Sequence, residues 1–212
     1  MTQITLEITT SLDGYVAGRD VSLENPLGEG GESLHEWMFT LKSFRTQHGQ
    51  PGGEENADDA LVARNLAALG ATVMGRKMFS GGRGPWQSDP NADSWFGDDP
   101  PFRTPVFVVT HHARDPITYS NGTEFHFVTD GVESAIAQAR EAANGKDVRV
   151  AGGASVATQC LQAGLLDRIH LHVAPILLGG GVRLFEGADL TRLELVESSA
   201  SEKVAHLSYR PT

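Results

Sequence analysis

Three short stretches of this 212-residue chain combine residue types suited to holding an anion. Gly152-Gly153-Ala154-Ser155 follows an apolar run and opens a helical pattern. Glycine lets a backbone approach a phosphate closely, and a following helix presents free N–H groups and a partial positive charge. Gly75-Arg76-Lys77 closes a second apolar run with two cations, and Thr110-His111-His112 closes a third with hydroxyl and imidazole groups. Alone, each reads equally well as a tight turn or a solvated strand end. Together they predict a cradle for a phosphorylated ligand, because ligands of open parallel sheets sit at the carboxyl ends of strands.

Other patterns fit less well. No G-x-G-x-x-G occurs, and Gly70-x-x-x-x-Gly75-Arg76-Lys77 has arginine where a P-loop needs lysine, with a strand between its glycines. Gly153-Ala154-Ser155-Val156-Ala157 approaches a nucleophile elbow, which would make Ser155 a hydrolase nucleophile with Asp189 and His206 as partners. His170 and His172 share a strand face without an evident third ligand, so no metal site is expected. The single cysteine, Cys160, excludes an internal disulfide.

The elements that must position these turns follow from periodicity. Ile4, Leu6 and Ile8 alternate with Thr5, Glu7 and Thr9, a half-buried strand. Further strands are expected at 71–74, 106–110, 125–128, 147–151 and 168–175, and a hairpin near 192–198 and 203–209. Helices are expected at 59–69, stopped by Gly70; at 132–143, capped by Asp130; and at 154–163, stopped by Gly164. A helical island spans 34–44, with Leu34, Trp37, Met38 and Leu41 on one face and a Ser33/Glu36 capping box. The stretch from Gln47 to Asp59 reads as an exposed acidic loop. Strands alternating with helices, then strands alone, predict an α/β domain with a largely parallel sheet and an antiparallel edge.

The balance of 17 Lys+Arg against 27 Asp+Glu, a net charge of -10, argues against a broad nucleic-acid surface. No apolar run approaches the ~20 residues of a membrane span. The N-terminus has neither the basic start nor the apolar core of a secretory leader, so a cytoplasmic location is expected.

Six segments recur in a familiar order: Ser11-Leu12-Asp13-Gly14-Tyr15-Val16-Ala17, Val73-Met74-Gly75-Arg76-Lys77-Met78-Phe79, Gly84-Pro85-Trp86, Val108-Val109-Thr110, Val150-Ala151-Gly152-Gly153-Ala154 and Pro175 to Phe185. The chain resembles the dihydrofolate reductase superfamily over nearly its whole length. It is most similar to the RibD C-terminal family, the reductase domain of the bifunctional riboflavin-biosynthesis deaminase/reductase. The resemblance implies a dihydrofolate-reductase-like three-layer αβα sandwich with a mixed, mainly parallel sheet, in one domain over residues 1–212. It implies an NADPH-dependent oxidoreductase acting on a small molecule, pterin-like or a ribosylamino-pyrimidine, and often a homodimer.

By the same resemblance, Gly75, Arg76 and Lys77 meet the adenosine phosphate of NADPH, and Thr110 and His111 lie near adenine and ribose. Gly152, Gly153, Ala154 and Ser155 hold the pyrophosphate, and Ala17 belongs to the loop over the nicotinamide. Trp37, Gly180 and Arg183 line the substrate pocket, and Asp13 and Glu36 are the candidate proton donors. Each has a plainer role available: Asp13 as a turn residue, Glu36 as a cap partner, Trp37 as core. Two departures stand out. The zinc signature of a deaminase is missing, and residues 19–60 carry a long acidic insert. A cofactor-binding module of the same fold without turnover is the alternative.

Overall fold

The computed structural model describes residues 2–212. The alternating segment forms β1 (Ile4–Ser11), whose Ile4 and Leu6 enter the main hydrophobic layer. A short β2 (Tyr15–Ala17) and a 3₁₀ turn (Gly31–Leu34) follow. The expected island over 34–44 is broken into pieces, α1 (Glu36–Phe39) and α2 (Lys42–Gln47). Leu41 between them is extended, because Lys42 N–H donates to Glu54 O (3.0 Å) and Glu54 N–H to Thr40 O (2.8 Å). The acidic loop thus pairs with the chain at the point where the helix would have continued.

Next come α3 (Ala57–Ala68), β3 (Leu69–Gly75) and α4 (Arg76–Ser80). Asn56 caps α3 by accepting from Asp59 N–H, and Asp58 and Asp59 are buried rather than exposed. Gly70 lies inside β3 instead of ending α3; a Cβ there would fall 2.5 Å from Ala143 O. The chain continues through β4 (Pro105–Val109), β5 (Ile117–Thr118), β6 (Glu124–Val128), α5 (Val132–Ala142), β7 (Asp147–Gly152), α6 (Ala154–Gln162) and β8 (Arg168–Ala174). Gly131, not Asp130, occupies the cap of α5, with no side-chain cap bond. β9 (Val182–Arg183), β10 (Leu193–Ala200) and β11 (Ala205–Pro211) complete the chain.

Nine strands form one sheet in the order β10-β11-β8-β1-β7-β3-β4-β6-β5. The six from β8 to β6 run parallel, while β10, β11 and β5 are antiparallel additions. This is the mixed, mainly parallel α/β sheet with an antiparallel C-terminal edge that the sequence predicts. Val132, Ala135, Ile136 and Ala139 of α5, with Val156, Ala157 and Cys160 of α6, close the layer over one face. On the other face α3 and the inserted segment pack through Trp37, Leu41 and Val62, and an aromatic cluster around Phe79, Trp86 and Phe125 lies beyond. Among the described residues no helix is long and apolar enough to cross a membrane.

Candidate functional site

The three anion-type turns meet on one edge of the sheet. Strands β7, β3 and β4 are adjacent and parallel, with Met74 opposite Gly152 and Gly75 opposite Val109. Their carboxyl ends therefore lie side by side, next to Ser11 at the end of β1. A Cβ on Gly75 would sit 3.1 Å from Val156 Cγ2 and 3.7 Å from Gly153 N, so any side chain here would press on the start of α6. Gly152 holds a φ of +114°, a conformation that suits glycine, and a Cβ on Gly153 would meet nothing within 4 Å. The backbone entering α6 is thus bare on its outer side, with Ala154 and Ser155 in the first turn where N–H groups lack helical acceptors.

Arg76 is not a free cation. It is 8% exposed and bonds Asp89 and, through Nε, Ser80 Oγ (3.0 Å), while Ser80 Oγ donates to Asp89 Oδ2 (2.7 Å). Its guanidinium lies 3.2 Å from the centre of the Trp86 ring, and Arg114 lies over Trp86 as well at 4.7 Å. Burial raises the Asp89 carboxyl, but the bonds from Arg76 and Ser80 outweigh it and hold the group below the usual carboxylate range. Trp86 Nε1 donates to His112 O (2.8 Å), which ties this frame to the turn after β4. Arg76 NH1 stays buried without a partner.

The exposed cations beside the frame are Lys77 and Arg83. Partial burial, and then the nearby Arg83 charge, lower the Lys77 ammonium. Neither has a carboxylate within ion-pair distance among the described residues. Thr110 is buried, its N–H donating to Val128 O (3.0 Å) and its hydroxyl accepting from His112 N–H (3.2 Å). His111 is exposed.

Ala17, Gly180 and Arg183 also come together. β2 pairs with β9 through Tyr15–Arg183 and Ala17–Val182. A Cβ on Gly181 would fall 2.1 Å from Ala17 O, and one on Gly180 would fall 2.2 Å from Arg19 Nε. Arg183 donates to Asp13 O (3.1 Å) and Tyr15 OH (2.8 Å). Asp13 is the brace of this loop pair: its carboxylate accepts from Ser11 Oγ (2.6 Å), Leu178 N–H (3.1 Å) and Gly179 N–H (2.7 Å). The Ser11 bond first, then the two backbone bonds, hold its carboxyl below its ordinary value.

Glu36 is exposed and accepts from Ser33 Oγ (2.9 Å), but the expected capping box does not form: Ser33 lies within the 3₁₀ turn, and His35 occupies the cap of α1 with no side-chain cap bond. Trp37 is 3% exposed and packs on His172 and His206 rather than on an open pocket. Ser155 accepts from Gln159 Nε2 (3.0 Å), while His206 lies on β11, three places along the sheet from β7, bonded to His172 and Asp58. The geometry gives the nucleophile-elbow reading no triad. Asp89, Arg114 and Asp58 escape a reading by motif, since each meets a partner distant in sequence. The one local signal was Gly84-Pro85-Trp86, which points to the Trp86 frame.

The fold belongs to the class of dihydrofolate-reductase-like α/β domains. Within it, this chain is a member of the RibD C-terminal domain family, which it matches over residues 2–207. A solved protein from Shewanella sp. PV-4 ascribed to riboflavin biosynthesis is 23% identical, with a TM-score of 0.64, covering 100% of this chain and 99% of that one. The Thermotoga maritima diaminohydroxyphosphoribosylaminopyrimidine deaminase/5-amino-6-(5-phosphoribosylamino)uracil reductase is 16% identical, with a TM-score of 0.56; all of this chain aligns with 57% of that one. The riboflavin biosynthesis reductase of Saccharomyces cerevisiae is 11% identical, with a TM-score of 0.52, covering 100% and 89%. A comparison with curated proteins finds no match.

Proposed function

We propose that this chain is an NADPH-dependent reductase that delivers a hydride to an electron-poor C=N or masked aldehyde of a pterin-like or ribosylamino-pyrimidine substrate. The observation that carries the reading is the meeting of Gly75, Thr110 and Gly152-Gly153 on one sheet edge beside the unpaired Lys77 and Arg83. Family membership and the reductase activities named for the two enzyme neighbours support it.

The residues present fit a dinucleotide. The bare backbone at Gly153, with Ala154 and Ser155, suits a pyrophosphate. Lys77 and Arg83 suit a further phosphate, with Thr110 and His111 toward the adenosine end. When bound, NADPH supplies the hydride. The chain's part is to orient and to exclude water: Asp13 holds the 176–181 loop against β2, which keeps Ala17 in place. Arg183 and the backbone at Gly180 belong to the same loop pair, on the side we assign to substrate.

Since Asp13 and Glu36 are both committed to structural bonds, a second reading has support, a cofactor-binding module without turnover. Titration with NADPH and NADH, followed by tryptophan fluorescence, tests the cofactor: a saturable NADPH response at tens of micromolar is expected, and its absence would sink both readings. NADPH oxidation across a panel of pterins, flavin precursors and small carbonyls then separates them.

A further inference from the structure

The polar layer between the sheet and α3 holds titratable groups that the proposed reaction does not use. Registers opposing Thr9 to His172 and His172 to His206 put these side chains on the face that α3 and the insert cover. His172 Nδ1 lies 2.7 Å from His206 Nδ1 in a buried position. Two ring nitrogens at that distance share one hydrogen: with none, lone pairs oppose, and with two, the hydrogens collide. The outer nitrogens face carboxylates, His206 Nε2 at 3.2 Å from Asp58 Oδ1 and His172 Nε2 at 3.6 Å from Glu7 Oε1. Carboxylates only accept, so His206 Nε2 carries a hydrogen toward Asp58. Glu7 faces the pair: burial raises that carboxyl, but His172, Arg149 and Asn65 together bring it down to about 2.

Trp37 is seated on this pair, its ring 5.1 Å from each imidazole centre and tilted by 49° and 69°. The indole N–H is buried without an acceptor. The seat is made by the two imidazole rings on one side and by Leu41, Val62 and Val204 around them. Trp37 belongs to the segment 31–47, which is bounded by Gly28 and Gly30 on one side and Gly49, Gly52 and Gly53 on the other, all at positive φ.

We propose that His172 and His206 form a one-proton latch, which seats Trp37 and its segment while a single hydrogen is shared and releases them when the pair gains another. The inference stands apart from the cofactor reading. The groups facing the pair are Glu7 of β1, Arg149 of β7, His170 of β8, Asp58 and Arg64 of α3, Glu197 of β10 and, from the segment, His35. Burial and the adjacent His172 hold His206 below the ordinary 6.5, and burial with the same neighbour pushes His35 down to about 4. Both resist protonation while seated and titrate normally once released. The seated state accordingly loses stability as the pH falls below 6.5. Glu7 titrates only in the lower window between 4.5 and about 2.

The test is ¹⁹F NMR of the full chain carrying 5-fluorotryptophan at its three tryptophans, with Trp37 assigned by Trp37→Phe. Between about pH 7 and pH 5 the Trp37 resonance should move reversibly to a solvent-exposed position while Trp86 and Trp95 stay. With two histidines taking up protons, the release constant should change up to about 100-fold per pH unit, falling to about tenfold in His206→Asn. A stationary Trp37 resonance, movement together with the other two, or unchanged steepness in the variant overturns the latch. Should His206→Asn not fold, His206→Gln replaces it, and the wild-type titration alone still decides whether Trp37 is released.

Discussion

Arg76 looks in sequence like the phosphate ligand of its turn, but in the fold its charge is spent on Asp89 and its flat face on Trp86. Removing one member of a buried ion pair strands the other, at a cost of about 3–5 kcal/mol. Arg76→Ala should therefore lower the denaturation midpoint and weaken NADPH and NADH together. Lys77 and Arg83 have no such partner, so their truncation should leave the midpoint alone and weaken NADPH about tenfold, the worth of one charged contact, with NADH nearly unchanged. Paired thermal melts and cofactor titrations of Arg76→Ala, Lys77→Ala and Arg83→Ala decide this; a selective NADPH loss in Arg76→Ala would reverse the assignment. The cationic character of this turn was legible in Gly75-Arg76-Lys77. Which cation is free was not, because Asp89 is brought to Arg76 by a loop with no periodicity to read.

At the scale of elements, the sequence is informative wherever a local pattern and the tertiary environment agree. β1 alternates because one face enters the core, and β4 does not because both faces of the sheet are covered there. Patterns mislead where a long-range contact overrides them. The heptad-like apolar spacing of 34–41 is real, but the backbone bonds between Thr40, Lys42 and Glu54 interrupt the helix. Gly70 illustrates the same point with a different physical cause. It carries the composition of a helix stop, yet it sits in β3 because the end of α5 passes too close for any side chain: a Cβ on Gly70 would fall 2.8 Å from both Ala143 Cα and Lys146 Cβ. Gly70→Ala should destabilise the fold by about 1–3 kcal/mol through overpacking, despite the better strand and helix propensity of alanine. Urea unfolding measures it. A neutral or stabilising result would mean that the close approach of Ala143 and Lys146 is not kept.

At the scale of the whole molecule, the two ends of the sheet are unlike. One ends in β5, only two residues long, too short to template another strand. The other ends in β10, eight residues long and exposed throughout, with Leu193, Leu195 and Val196 each 41–54% exposed. A net charge of -10 would by itself keep copies apart. On β10, however, Glu194 faces Arg210 at 3.5 Å and Glu197 faces Arg64 at 3.5 Å, so its own acids are locally balanced and leave an apolar edge. We propose that this edge receives the same edge of a second copy, which gives the homodimer that the family resemblance implies. Sedimentation equilibrium at tens of micromolar should report twice the 22.7 kDa chain mass. Leu195→Lys removes an apolar side chain from each copy at about 2 kcal/mol apiece, so the dissociation constant should rise about 1000-fold. The circular dichroism of the variant should stay that of the wild type, since Leu195 is 54% exposed in the single chain. A monomeric wild type, or a variant that dimerises as well as the parent, would show that β10 is left open for something other than this chain.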